Sequence, residues 1–147
     1  PQSLLNNGAE IEASNDNGFI LCATGNDFLR SYNKAATQIA SVASGIGGTT
    51  NAEGCAVGPN GEVGVVWNGS TDTVHVYENT SLANLKYSFS DTAILPDPEG
   101  IDFKSNGNAV IVDATEHIIV ELDTDGKLVE VMQSSGVNTP RGITVLK

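Results

Sequence analysis

The stretch PEGIDFKSNGNAVIVDATEHIIVELDTDGKL, residues 98–128, decides the fold. It holds three alternating or apolar runs, each followed by a turn signal. Its pattern predicts strands over 100–104, 109–113 and 117–122, with a fourth over 128–132. The run AVIV, 109–112, is apolar on both faces, as a strand covered on both sides has to be. Ile118, Val120 and Leu122 fall on one face of the next run, and His117, Ile119 and Glu121 on the other. Between the last two runs lies Asp123-Thr124-Asp125-Gly126. Asp-Gly between two extended segments signals a hairpin, because the turn needs positive φ.

The same layout recurs. AEGCAVGPNGEVGVVWN, residues 52–68, sets Glu53-Gly54 against Glu99-Gly100 and Asn60-Gly61 against Asn106-Gly107. Upstream, EIEASNDNGFILCATG, residues 10–25, carries Asn17-Gly18 and then the apolar run 19–23. Downstream, PRGITVLK, residues 140–147, repeats only the opening. The turn glycines Gly18, Gly61 and Gly107 are 43 and 46 residues apart, and Gly54, Gly100 and Gly142 are 46 and 42 apart. A period of roughly 40–50 residues is that of propeller blades. The expectation is therefore an all-β, propeller-type chain. It has about three four-stranded antiparallel blades, near 8–45, 52–90 and 98–134, and an extra C-terminal strand at 140–147 as the inner strand of a further blade. The alanine-rich segment 34–43 falls where the outer strand of the first blade belongs, although it is the best helix candidate in the chain.

The layout Pro-x-Gly-Ile-x-Phe, then Gly-x-Ala-x-Ile-x-Asp ending at Asp113, then Ile-x-x-Leu-Asp-x-Asp-Gly-Lys-Leu, resembles NHL-type β-propeller repeats. The likeness covers about residues 8–147 and is strongest in the third copy. Trp67 stands in place of Asp113 in the second copy and Thr24 in the first, while His117-Ile118 replaces a common Arg-Ile. The resemblance implies the fold and leaves the function open, since propellers serve as enzymes, receptors and scaffolds.

Propellers close with roughly four to eight blades. Three blades leave sheet faces and edges uncovered, and exposed edges pair or aggregate. Three completions are open: the remaining blades of a longer chain, self-association of chains into a ring, or an open array. The surplus strand at 142–146 favours a longer parent chain or a strand donated to a neighbour. The chain starts at Pro1 rather than Met, so further residues are expected before it.

In propellers, ligands favour the face built by loops that lead into inner strands and out of second strands. Glu53, Glu99 and Arg141 lead into inner strands here, and Thr24, Trp67 and Asp113 lead out of second strands. Glu53, Glu99 and Asp113 are candidate ligands for a hard cation such as Ca2+, which takes oxygens in irregular geometry. Gluconolactonase-like propellers hold calcium in this way, and the likeness here is confined to the Glu-Gly pairs. The alternatives are that Asp113 caps turn amides of its own blade and that a glutamate pairs with Arg141. Thr24, Trp67 and Arg141 would present a face to a ligand or partner, or Trp67 would pack between blades. Cys22 and Cys55 fall in a second strand and the next inner strand, where they would form a disulfide or stay as buried thiols. Asn68 and Asn79 open glycosylation sequons, which with few lysines suggests an extracellular or periplasmic protein. The Asp123–Gly126 stretch lacks the remaining ligands of a calcium loop and reads as a turn. No nucleophile elbow or paired-histidine motif is present.

A net charge of -11 from 7 basic and 18 acidic residues argues against nucleic acid and against an anionic membrane. The longest apolar runs are too short to span a bilayer. The expected function is a non-catalytic module that recognises a protein or glycan, or completes a ring or array. A calcium-dependent lactonase-like enzyme and a filament-forming structural protein are the alternatives.

Overall fold

The computed structural model describes residues 9–24, 28–43, 49–133, 136 and 138–146. The outermost positions of the expected blades, residues 8, 44, 45, 134 and 147, lie outside this set. The described residues form three four-stranded antiparallel sheets. The first blade contains β1 (Ala9–Ala13), β2 (Phe19–Ala23), β3 (Phe28–Tyr32) and β4 (Gln38–Ala43). The second contains β5 (Thr49–Val57), β6 (Val63–Gly69), β7 (Thr73–Tyr77) and β8 (Leu85–Phe89). The third contains β9 (Pro98–Phe103), β10 (Ala109–Asp113), β11 (Ile118–Leu122) and β12 (Leu128–Gln133). In each blade, strands follow one another in spatial order, the meander that short turns produce. Among the described residues no helix is long and apolar enough to cross a membrane.

The alanine-rich segment is strand from Gln38 onward because Asn33 turns the chain first. Its side chain accepts the N–H groups of Ala35 and Thr37, and Ala36 takes φ +58°. The outer strand then pairs with β3. His117 lies one residue before β11, in a turn at φ +55°, rather than in the strand.

In the strand ladders, the first copy is offset by one residue from the alignment its turn glycine suggests. Asn17, Gly61 and Gly107 share one turn position, with φ of 64°, 91° and 88°. Asparagine tolerates this region because its short polar side chain bonds locally. Gly18 therefore sits one place later than the other turn glycines. A Cβ there would stand 2.1 Å from the Tyr32 carbonyl oxygen, so close packing is what requires glycine.

Two apolar layers join the blades. Ile20, Cys22 and Leu29 of the first meet Cys55, Val65 and Trp67 of the second. Val66, Val74 and Val76 of the second meet Ile101, Phe103 and Ile111 of the third. Burying each such side chain contributes roughly 1.5–3 kcal/mol, so these layers bind the blades more firmly than any polar contact. Outer strands β4, β8 and β12 are largely exposed.

Residues 138–146 form no strand, since no ladder partner exists for them among the described residues. They nevertheless lie beside β9. The Val145 N–H donates to Asp102 Oδ2 at 2.7 Å, and Gly142 lies against Gly100. This is the place of a next inner strand, as the repeat implies, without the hydrogen-bonded ladder that would make it one.

Candidate binding groove along the inner strands

Inner strands β1, β5 and β9 and the segment 143–146 wall a groove of about 290 Å³. Glu10 and Glu12 of β1 and Asp102 of β9 line it. Strand alternation places them: Glu10 and Glu12 are two apart and share a face. Glu12 pairs with Ile20, Ala56 with Gly64 and Asp102 with Val110, which makes these three equivalent positions of successive blades. No lysine or arginine is among the described lining residues.

Burial raises the Glu10 pKa, and the charges of Glu12 and Asp102 add to the rise. The Cys55 N–H opposes it by donating to Glu10 Oε2 at 2.9 Å. Asp102 Oδ1 accepts the Phe103 N–H at 2.7 Å while Oδ2 holds the Val145 N–H. The groove therefore carries like charges in mutual repulsion, with neutral amides as their nearest partners.

The predicted mouth residues divide into two groups. Thr24, Glu53, Glu99 and Arg141 form a chain across the blades. The Thr24 hydroxyl donates to Glu53 Oε2 at 3.1 Å, and Arg141 stands 3.8 Å from Glu99. Burial and the neighbouring Glu53 charge raise the Glu99 pKa, while Arg141 lowers it. The Arg141 side chain is 76% exposed. Asp113 and Trp67 are instead fully buried.

Asp113 accepts backbone N–H groups from Asp97 at 2.7 Å, Thr115 at 3.0 Å and Glu116 at 2.8 Å. Its oxygens bind the turns of its own blade rather than face the groove. Glu53, Glu99 and Asp113 do not gather within metal-ligand distance of one another. Among the described residues, the group of three donors that does is Glu10, Cys22 and Cys55. The carboxylates in which hard-cation ligands were expected lie in the second and third blades and have separate tasks: Glu53 accepts the Thr24 hydroxyl, Glu99 faces Arg141 and Asp113 binds turn amides.

Trp67 is a packing residue rather than a partner-facing one. Its ring lies edge-on to His75 at 6.3 Å, and His75 likewise to Tyr77. The strand β6 runs on to Gly69, so Trp67 lies inside the ladder, opposite Ala52 and Thr73. Burial lowers the His75 pKa, so this histidine is a neutral core group.

Asn68 donates to the Asp97 carboxylate, and Asn79 is exposed in the turn before β8. Cys22 and Cys55 are buried free thiols brought together across the first blade interface. Glu10, Glu12 and Asp102 escaped sequence reasoning. The signal for the first two was the alternation in AEIEA, in which both glutamates fall on one strand face.

No known protein family matches the chain, and no curated protein sequence matches it either. Solved structures do resemble it. A Bacteroides caccae protein of unknown function has a TM-score of 0.71 at 17% identity, over 97% of this chain and 52% of its own. Chaetomium thermophilum Sqt1, solved bound to the N-terminus of ribosomal protein L10, has a TM-score of 0.66 at 15% identity, over 89% and 37%. The structure of U3-55K has a TM-score of 0.67 at 10% identity, over 90% and 42%. The chain thus spans about half or less of the length of these structures. At such low identity the likeness establishes a fold alone: the chain is an all-β, propeller-like array of three four-stranded blades.

Proposed function

We propose that the chain is a non-catalytic propeller module that binds a basic segment of a protein partner along its inner-strand groove. One observation carries this reading: Glu10, Glu12 and Asp102 line a single groove that holds no described basic side chain. A lysine- or arginine-rich segment would relieve their repulsion, and the groove walls Ala56 and Ile101 would cover its aliphatic stems. The Sqt1 complex supports the reading in kind, since a propeller-like protein there takes a peptide terminus. The repeat layout supports regarding the blades as NHL-type.

Calorimetric titration with an oligolysine peptide tests the proposal, with oligoglutamate as control. Oligolysine binds in dilute salt and weakens as salt rises, because the groove charges are screened. Glu12→Gln reduces the affinity about two- to fivefold. Equal binding of both peptides, or binding unaffected by Glu12→Gln, would refute it.

Completion by further blades is part of the same reading. Segment 138–146 continues the inner-strand series, and this chain covers only 52% and 37% of two solved structures of similar fold. Such blades, from the same chain or a second copy, would extend the groove toward a channel.

A further inference from the structure

The three copies agree closely along their inner and second strands, and they disagree at one point in space. Gly54 pairs with Val66 and Gly100 with Val112, but the equivalent pair in the first blade is Glu10 with Cys22. One place further on, the first and third blades carry Ile11 and Ile101, while the second carries Cys55. Glycine, valine and isoleucine are what this packing asks for elsewhere. The three departures, to glutamate, cysteine and cysteine, lie on β1, β2 and β5 and still converge. Their carboxylate oxygen and two sulfurs all lie within 4.8 Å of one another.

We propose that Glu10, Cys22 and Cys55 are the protein ligands of a single thiophilic divalent cation of the zinc class, reached from the inner-strand groove. The donor set is that of such an ion, because thiolate sulfur selects zinc over calcium or magnesium. Tetrahedral bonds of about 2.0–2.3 Å set donors roughly 3.3–3.8 Å apart, so the three need draw together by about 1 Å.

The Glu10 carboxylate is already held in place by the Cys55 N–H at 2.9 Å. Both sulfurs also face one backbone oxygen, that of Glu10, at 3.9 and 3.8 Å. Glu10 and Cys55 line the groove, which admits the ion, carries away the protons and offers water as fourth ligand. Glu12 and Asp102 draw cations to the same opening. Binding releases the two thiol protons to solvent, leaving two thiolates and one carboxylate on the metal, with no oxidation. A Cys22–Cys55 disulfide would account for two of the departures and leave Glu10, where the other blades have glycine, without a reason.

The test is cadmium titration of the reduced chain, followed by thiolate-to-metal charge-transfer absorbance, with zinc as competitor. One equivalent of cadmium is expected to saturate the signal, and zinc to displace it. Cys22→Val, which copies the residue of the other two blades, abolishes the signal. Glu10→Gln, which keeps the acceptor for the Cys55 N–H, weakens binding about tenfold or more. Zinc also raises the thermal midpoint of the wild type but not of Cys22→Val. No cadmium uptake by protein with both thiols free would overturn the proposal. So would uptake unchanged in both variants, or zinc-loaded thiols that oxidise with glutathione disulfide as fast as the metal-free pair. Glu12→Gln should leave metal stoichiometry intact, so the fates of this site and of the peptide groove can be told apart.

Discussion

Gly54 lies so close to Gly100 that an added methyl would meet the Gly100 Cα at 2.9 Å and the Glu99 carbonyl oxygen at 2.7 Å. Gly100 stands in the same relation to Gly142, at 3.0 Å. Inner strands of successive blades thus touch backbone to backbone. Neither Gly54 nor Gly100 needs positive φ, so packing alone demands glycine. Gly54→Ala is expected to cost about 1–3 kcal/mol, as overpacking does. Gly100→Ala, with its contacts a few tenths of an ångström longer, should cost less. Urea denaturation of both variants checks the order.

Two turn glycines offer a cleaner comparison. Gly61 and Gly126 both have positive φ, 91° and 80°. Around Gly61 an added Cβ meets open space, whereas at Gly126 it would strike the Tyr87 ring at 2.5 Å. Gly61→Ala should cost about 1–2 kcal/mol for the backbone alone. Gly126→Ala should cost distinctly more, and the excess should shrink in a Tyr87→Leu background. Equal costs in a double-mutant cycle would mean that Tyr87 does not pack on the hairpin.

Asp113 illustrates a buried carboxylate with a structural task. Three backbone N–H groups lose their acceptor in Asp113→Ala, and the carboxylate they bind is itself fully buried. A loss of about 3 kcal/mol or more is expected. Asp113→Asn, which keeps one acceptor oxygen, should be milder. Any effect of calcium on the thermal midpoint should be the same in the wild type and in Asp113→Asn, since this carboxylate is occupied by its own turns.

Acid should weaken the third blade through Glu121. The Lys104 ammonium at 2.5 Å and the Asn108 amide at 2.7 Å hold its carboxyl below the ordinary value of 4.5. A pKa lowered by folding gives stability that is complete above the unfolded value and is lost as pH falls through the folded one. Unfolding free energy should therefore decline below about pH 4.5, and Glu121→Gln should flatten that decline. An unchanged acid limb in the variant would assign it to other carboxylates.

The blades were legible because each carries its own punctuation: an apolar run for the second strand and Asn-Gly or Asp-Gly for the turns. Even the unpromising segment at 38–43 could be placed by its position in the repeat. What stayed hidden was which inner-strand face looks into the groove. A repeat read by its glycines overlooks positions where glycine is missing, and Glu10 is one of these. Trp67 stayed open between a partner face and blade packing because the third copy ends its strand at the equivalent Asp113, whereas β6 continues to Gly69. Strand length depends on pairing with Thr49–Val57, and the local pattern around Trp67 does not reveal it.

Amide chemical-shift mapping during oligolysine titration shows whether the inner-strand carboxylates are the binding surface. Shifts should concentrate at Glu12, Ala56, Asp102 and Thr144, and fade when Glu12→Gln is combined with Asp102→Asn. Shifts confined to the outer strands β4, β8 and β12, or scattered evenly over the acidic surface, would contradict it.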